Sequence, residues 1–122
     1  MPAKFHRLLK DGNPATGMVP SDMVAAECFL GKDHTETVDV PFRSSDGKVT
    51  AGVWEAAPFR QKIERYGVDE LCTVIAGKVT VTDSAGKSET FGPGDTFVMD
   101  RDFAGEWHVT ETLRKFWMIV EP

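Results

Sequence analysis

The sequence is poor in the residues that build metal centres and disulfide frameworks. Its 122 residues include only three histidines and two cysteines, namely His6, His34, His108, Cys28 and Cys72. The cysteines form no zinc-ligand spacing with the histidines, and one possible cysteine pair is a poor disulfide framework. We therefore expect a protein of the reducing cytoplasm without a structural zinc ion.

Long apolar runs and an excess of basic residues are also missing. No run approaches the roughly 20 apolar residues of a membrane helix, and residues 1–10 carry only short apolar pieces, unlike a secretory signal. The chain has 14 Lys and Arg against 19 Asp and Glu, a net charge of −5, so a nucleic-acid backbone finds no general attraction. The sequence contains neither a phosphate-binding glycine-rich loop nor a Gly-x-Ser-x-Gly elbow. We expect a soluble protein with neither a membrane nor a nucleic acid as partner.

Short β segments separated by turn signals fill the chain from residue 46 to its end. Turn-forming residues mark the boundaries, for example Gly77, Gly86 and Gly94. The strands are predicted at residues 48–55, 62–66, 71–75, 78–83, 88–91, 96–99, 106–111 and 114–120. Eight strands suffice to close a small barrel. The sequence therefore predicts an all-β protein whose barrel comprises residues 46–122.

The first 45 residues are broken by glycine and proline and predict an extended N-terminal arm. A short helix is expected at residues 21–29, with Ser21 as its N-cap. An edge strand is expected at residues 38–42, because Pro41 lacks the N–H that a central strand needs. We expect residues 1–45 to lie over the barrel or over a partner subunit.

Several segments in order resemble the cupin superfamily, the RmlC-like jelly-roll proteins. They are GVWEAAP (52–58), DELCTVIAG (69–77), FGPGD (91–95), FAGEW (103–107) and TLRK (112–115). The chain is most similar to the single-domain cupins of the ureidoglycine aminohydrolase and ethanolamine-utilisation group. This resemblance, which covers about residues 52–120, implies a double-stranded β-helix barrel and, as in many cupins, a homodimer.

The resemblance also locates the metal-ligand positions of metal-dependent cupins. Their first motif has two histidines separated by one residue, then a glutamate, and their second motif supplies a third histidine. In this sequence the four positions fall on Glu64, Tyr66, Glu70 and Gly105. Only Glu70 matches, and none of the three histidines stands at a ligand position.

This departure from the motif changes the chemistry expected of the barrel lumen. Imidazole suits Fe, Ni, Cu and Zn, whereas carboxylates suit Mn or Mg. We therefore expect no transition metal, with a Mn ion held by Glu70 and Glu64 as the alternative. Gly105 is expected to enlarge the lumen, and strand alternation turns His108 outward if Trp107 points inward.

Residues two apart share a strand face, which predicts that Glu64, Tyr66, Glu70 and Cys72 converge in the lumen. Two carboxylates in one lumen repel each other, which makes Glu70 and Glu64 candidates for an acid/base pair. Glu70 is equally well explained as a hydrogen-bonded structural relic, and Glu64 as a solvated residue at the barrel mouth.

Other candidate ligand-binding residues also have structural explanations. Cys72 is a nucleophile or ligand in one interpretation, but an apolar site beside carboxylates raises a thiol pKa and favours an inert thiol. Trp54 and Trp107 are either core residues or walls that stack on a planar ligand. The pair Arg114 and Lys115 is expected on a solvated face before the last strand, with carboxylate binding at the barrel rim as the alternative.

Together these observations predict a cupin barrel with an acidic lumen that binds a small polar organic molecule. Fold alone does not establish activity, and two alternatives stay open. One is a hydrolase or isomerase that uses Glu64 or Glu70 as its acid and base. The other is a homodimeric assembly module.

Overall fold

The computed structural model describes residues 3–122, and its regular secondary structure is almost entirely β-strand. The strands are β1 (Val19–Pro20), β2 (Glu36–Arg43), β3 (Val49–Ala56), β4 (Phe59–Ile63), β5 (Asp69–Asp83), β6 (Ser88–Phe91), β7 (Thr96–Met99) and β8 (Gly105–Val120). One turn of 3-10 helix, Ala26–Cys28, is the helical element of the described chain. The predicted all-β class is confirmed.

Two long strands, β5 and β8, form the centre of an antiparallel jelly roll. They pair with each other along most of their length. The second half of β8 also pairs with β3 and its first half with β4. In the same way β5 pairs first with β7 and then with β6. Each long strand therefore belongs to both walls of the barrel.

The sequence predicts four short strands where the structure has the two long strands β5 and β8, and β5 bends between its two predicted parts. Residues 71–75 and 78–83 were predicted as separate strands, as were 106–111 and 114–120, but each pair forms one strand with pairing irregularities between Val74 and Val79. At the bend Gly77 has a positive φ of 86°. A Cβ there would lie 2.0 Å from the carbonyl oxygen of Thr112, so glycine allows β8 to approach closely.

Strand alternation sorts side chains between the lumen and the outer face. On β5 the inward residues are Glu70, Cys72 and Val74, all buried. On β8 they are Leu113, Lys115 and Trp117, which are also buried. The lumen thus receives one carboxylate and one ammonium among otherwise mostly apolar side chains.

The N-terminal region follows the prediction only in part. Strand β2 contains the predicted edge strand, and Pro41 lies where the pairing with β3 is irregular, between Asp39 and Phe42. The helix predicted at residues 21–29 is wrong, since only Ala26–Cys28 is helical. Ser21 does not cap a helix, because its hydroxyl donates a hydrogen bond to Glu36.

Strand β4 is displaced from its predicted position. It spans Phe59–Ile63 rather than residues 62–66, and Glu64 begins a bend instead. Within residues 3–122 no helix is long and apolar enough to cross a membrane.

Candidate functional site

The lumen contains a cavity of about 460 Å³, within the range of roughly 300–1,000 Å³ that is usual for ligand sites. Most of its wall is apolar, with aliphatic side chains from β2, β4 and β8. Five aromatic residues contribute to the wall, namely Trp54, Phe59, Tyr66, Trp107 and Trp117. The predicted ligand-binding residues Trp54, Tyr66 and Trp107 are therefore brought together at one cavity.

An ion pair between Glu70 and Lys115 lies at the deep end of this cavity. The Lys115 ammonium is 2.9 Å from Glu70 Oε2, and the two side chains are only 6% and 5% exposed. The Tyr66 hydroxyl donates to the other carboxylate oxygen, Oε1. Both oxygens of Glu70 are thus engaged, as a buried carboxylate requires.

Cys72 lies beside this pair without lining the cavity. Its sulfur is 3.4 Å from the Lys115 ammonium, and the residue is fully buried. Burial raises the pKa of the Cys72 thiol to about 12, with Glu70 adding to the rise and Lys115 opposing it. Cys72 is therefore a neutral thiol near pH 7, which is the inert alternative.

The protonation states of the other two partners follow from the same geometry. Burial, reinforced by the charge of Glu70, raises the pKa of Tyr66 well above its usual value, so the phenol is neutral. Burial alone would lower the pKa of Lys115, but its pKa is raised overall, because the carboxylate of Glu70 beside it favours the charged ammonium. Lys115 is therefore a permanent cation inside the barrel.

The Lys115 ammonium also lies against two indole rings. Its nitrogen is 5.2 Å from the ring centroid of Trp54 and 4.8 Å from that of Trp107, distances at which the ring face attracts a cation. With Glu70 and Cys72, these rings surround the ammonium. Among the described residues, the buried indole N–H groups of Trp107 and Trp117 have no hydrogen-bond partner.

A second buried carboxylate, Glu36 on β2, fixes the segment that covers the cavity mouth. It accepts hydrogen bonds from the Ser21 hydroxyl at 2.6 Å and from the backbone N–H groups of Met23 and Val24 at 2.9 and 2.8 Å. It also accepts one from the Trp54 indole N–H at 2.9 Å. Ser21, Met23, Val24 and Trp54 all line the cavity, so Glu36 holds the cover and one wall together.

The position of Lys115 differs from the one predicted from the sequence. It was expected with Arg114 on a solvated face before the last strand, but both lie within β8 and Lys115 is buried. Arg114 points the other way, to Glu55 and Asp11. The sequence contains a signal for the buried position of Lys115. Lys115 is two positions from both Leu113 and Trp117, and residues two apart share a strand face.

The predicted position of Glu64 in the lumen is wrong. Glu64 is exposed in the bend after β4 and does not line the cavity. The predicted acidic character of the lumen is wrong for the same reason. Glu70 is the carboxylate of the cavity wall, which also carries the cations Lys115 and Arg65.

Gly105 does not open the lumen, contrary to the prediction. A Cβ at this position would lie 2.0 Å from the carbonyl oxygen of Thr82, so the space beside Gly105 is filled by β5. Trp107 is buried and His108 is only half-buried, as the alternation on β8 predicted.

The residues at the four metal-ligand positions do not fit a metal ion. Glu64 lies outside the cavity, and Gly105 faces the backbone of Thr82. Glu70, the one matching position, already binds the ammonium of Lys115. Residues 3–122 hold no group of three or more His, Cys, Asp or Glu side chains placed to bind a metal.

Comparison with known families agrees with this architecture. The family model described as the EutQ-like cupin domain matches residues 43–117. A search of curated protein sequences finds no match.

Solved structures with similar folds include a protein of unknown function, from the DUF861 family, of Pseudomonas syringae pv. tomato. It is 21% identical with a TM-score of 0.80, and the match covers 93% of this chain but 46% of that protein, so this chain spans about half its length. A putative ethanolamine utilization protein of Salmonella typhimurium is 16% identical, with a TM-score of 0.63 and coverages of 85% and 78%.

A cupin superfamily protein of Desulfitobacterium hafniense matches over its whole length. It is 13% identical with a TM-score of 0.62, and the match covers 96% of this chain and 100% of that one. At these identities the solved structures establish the fold alone, and the chemistry of the site has to be inferred from the residues of the lumen.

Proposed function

The chain belongs to the EutQ-like cupin domain family, and we propose that its lumen binds a small organic molecule without a transition metal. The observation that carries this proposal is the cavity of about 460 Å³ with the Glu70–Lys115 ion pair at its deep end. The resemblance to metal-dependent cupins would place a metal ion beside Glu70, and here the ammonium of Lys115 lies beside it instead.

The walls of the cavity favour a ligand with a planar, apolar body. The rings of Tyr66 and Trp107 are nearly parallel, with an angle of 23° between them. Trp54 and Phe59 meet edge to face, with centroids 6.1 Å apart. When such walls bury an aromatic or similarly flat ligand, the binding free energy becomes more favourable by roughly 25 cal/mol for each Å² of apolar surface removed from water.

The polar groups at the deep end support binding better than acid/base catalysis. Both oxygens of Glu70 already accept a hydrogen bond, one from Tyr66 and one from Lys115, so the carboxylate is held in an internal network that does not need a substrate. The neutral thiol of Cys72 is a poor nucleophile. We therefore assign Glu70 and Lys115 to the fixed electrostatic environment of a binding site.

A fragment screen tests the proposal. Mono- and bicyclic aromatic fragments of both charge signs are added to protein treated with a chelator, and thermal unfolding is followed. We expect a subset to raise the melting temperature, because a ligand that binds only the folded state stabilises it.

A matched pair of variants locates the binding. Val68→Trp places a large ring at the cavity wall, whereas Val98→Trp adds the same ring on β7 at a valine that is 67% exposed and does not line this cavity. Fragment binding should be lost in Val68→Trp and retained in Val98→Trp. The proposal fails when no fragment stabilises the chelated protein, or when both variants bind as the parent does.

A further inference from the structure

The charges on the cavity wall are not balanced. Its charged residues are Arg65, Glu70 and Lys115, so two cations face one carboxylate in a protein of net charge −5. Glu70 and Lys115 neutralise each other at 2.9 Å. The cation that remains is the guanidinium of Arg65.

Arg65 lies at the cavity mouth on a fixed piece of backbone. Its side chain is 67% exposed, in contrast to the almost fully buried pair below it. The two residues that follow it donate backbone hydrogen bonds at 2.8 Å, Tyr66 to the carbonyl of Phe103 and Gly67 to that of Arg101. These bonds hold the base of the Arg65 side chain at the rim.

The present partner of Arg65 leaves most of its hydrogen-bonding capacity for a ligand. Its Nη2 atom is 3.2 Å from Asp102 Oδ1, and the two side chains are 67% and 75% exposed. Ion pairs as exposed as this contribute little. A guanidinium has five N–H donors in a planar fork that matches a carboxylate.

The deep end of the cavity is a poor place for a ligand carboxylate. The Lys115 ammonium is surrounded by Glu70, Cys72 and two indole rings, and the Tyr66 hydroxyl donates to Glu70. A second carboxylate there would be desolvated beside the first, and like charges repel. At the mouth a carboxylate keeps part of its hydration.

We propose that the ligand is a carboxylic acid with a planar apolar body, which lies among the aromatic walls while its carboxylate binds the guanidinium of Arg65 at the mouth. This inference rests on the proposed binding function and narrows it to one ligand class. Arg65 is then the residue that selects for charge, and the aromatic walls select for shape.

Three probes with the same ring system test the inference by calorimetry. They are 2-naphthoate, the neutral 2-naphthamide and the cationic 2-naphthylmethylamine. We expect 2-naphthoate to bind most tightly to the parent protein. Arg65→Gln should weaken its binding about tenfold, the usual loss for a charge-assisted hydrogen-bond pair at a partly exposed site, and should leave 2-naphthamide unchanged.

Two further variants separate three contributions to 2-naphthoate binding. These are the charge of Arg65, the planar fork of its guanidinium, and any general effect of replacing a surface arginine. Arg60→Gln removes an exposed arginine of β4 that pairs with Glu106 and does not line the cavity, so it should bind 2-naphthoate as the parent does. Arg65→Lys keeps the charge without the fork and should give an intermediate affinity.

Failure of the carboxylate assignment and failure of the lumen site give different results. The carboxylate assignment is overturned if the amine binds as tightly as 2-naphthoate, or if Arg65→Gln leaves 2-naphthoate binding unchanged. In either case 2-naphthamide binding that is blocked by Val68→Trp still supports a lumen site. Absence of binding by all three probes also overturns the assignment, and the fragment screen then decides on the lumen itself.

Discussion

Two buried carboxylates, one at the deep end of the lumen and one at its mouth, are kept in the barrel in different ways. Glu70 is neutralised by the ammonium of Lys115 and accepts a hydrogen bond from Tyr66. Within residues 3–122, Glu36 has no cation among its hydrogen-bond partners and accepts four hydrogen bonds from neutral donors. Trp54 connects the two, because its N–H binds Glu36 and its ring faces Lys115.

The difference shows how the fold separates a binding surface from its cover. Around Glu70 both partners belong to the barrel, Lys115 in β8 and Tyr66 in the bend before β5. Around Glu36 three of the four donors belong to the segment that covers the mouth. Loss of a donor at the mouth can be compensated by water, whereas loss of Lys115 leaves a charge with no solvent nearby.

The largest effect is expected from Lys115→Met, which keeps the bulk of the side chain and removes its charge. Glu70 then stays buried without a cation, and the free energy of unfolding should fall by about 3–5 kcal/mol. Urea denaturation at pH 7 measures this loss. Lys62→Met, at an exposed lysine of β4, is the control and should change little.

A double variant checks the cause of that loss. Glu70→Gln combined with Lys115→Met removes both charges and should recover most of the lost stability. A double variant no more stable than Lys115→Met alone would show that the ion pair is not what Lys115 contributes.

A smaller loss is expected at the mouth. Glu36→Ala removes the acceptor of four hydrogen bonds, but the cover segment can then be hydrated, which leaves the Trp54 N–H as the main buried group without a partner. We expect a loss of about 2–3 kcal/mol, measured in the same way against Glu89→Ala, an exposed control on β6. Equal losses in Glu36→Ala and Lys115→Met would remove the distinction between the two sites.

Alkaline pH should lower the free energy of unfolding through Cys72, the thiol at the deep end of the lumen. The folded pKa of Cys72 is about 12 against an ordinary value of 9.0, so unfolding releases a proton between these values. Stability is therefore intact below pH 9 and falls as the pH rises, by up to about 1.4 kcal/mol per pH unit from this group.

Urea denaturation from pH 8 to pH 10 measures this slope. Cys72→Ala should reduce it, whereas Cys28→Ala, a change at a half-buried thiol of the arm, should keep it. An unchanged slope in Cys72→Ala would contradict the assigned state of the thiol.

The smallest effect is expected from Ser21→Ala. It removes one of the four hydrogen bonds to Glu36 and leaves the two backbone donors in place, so the loss should be about 1 kcal/mol. Ser88→Ala, which removes a hydroxyl pair with Thr82 on the exposed face, is the matched control. A loss from Ser21→Ala as large as that from Glu36→Ala would mean that the hydroxyl alone holds the cover.

The parts of the site that could be predicted are those set by local alternation. Within β5 the period of two placed Glu70 and Cys72 on the buried face, and the turn residues located β6 and β7. Glu64 was misplaced because the alternation was continued beyond Ile63, where β4 ends and the chain bends. Alternation constrains side chains only while the strand continues.

The parts that were missed depend on contacts between distant residues. Residues 21–29 have a composition compatible with a helix, but Ser21, Met23 and Val24 donate instead to Glu36, which is twelve or more positions away. Lys115 was expected on a solvated face, the default for a charged side chain, and the anion that permits its burial is 45 positions earlier in the sequence. Only the pairing of β5 with β8 brings them together.

The metal content of the purified protein tests most directly the claim that the ammonium of Lys115, and not a transition-metal ion, is the cationic partner of Glu70 in the lumen. Protein prepared without added metal is analysed by inductively coupled plasma mass spectrometry, alongside Glu70→Gln. We expect both to contain far less than one transition-metal ion per chain. One Mn, Ni or Fe ion per chain in the parent protein, lost in Glu70→Gln, would contradict the account.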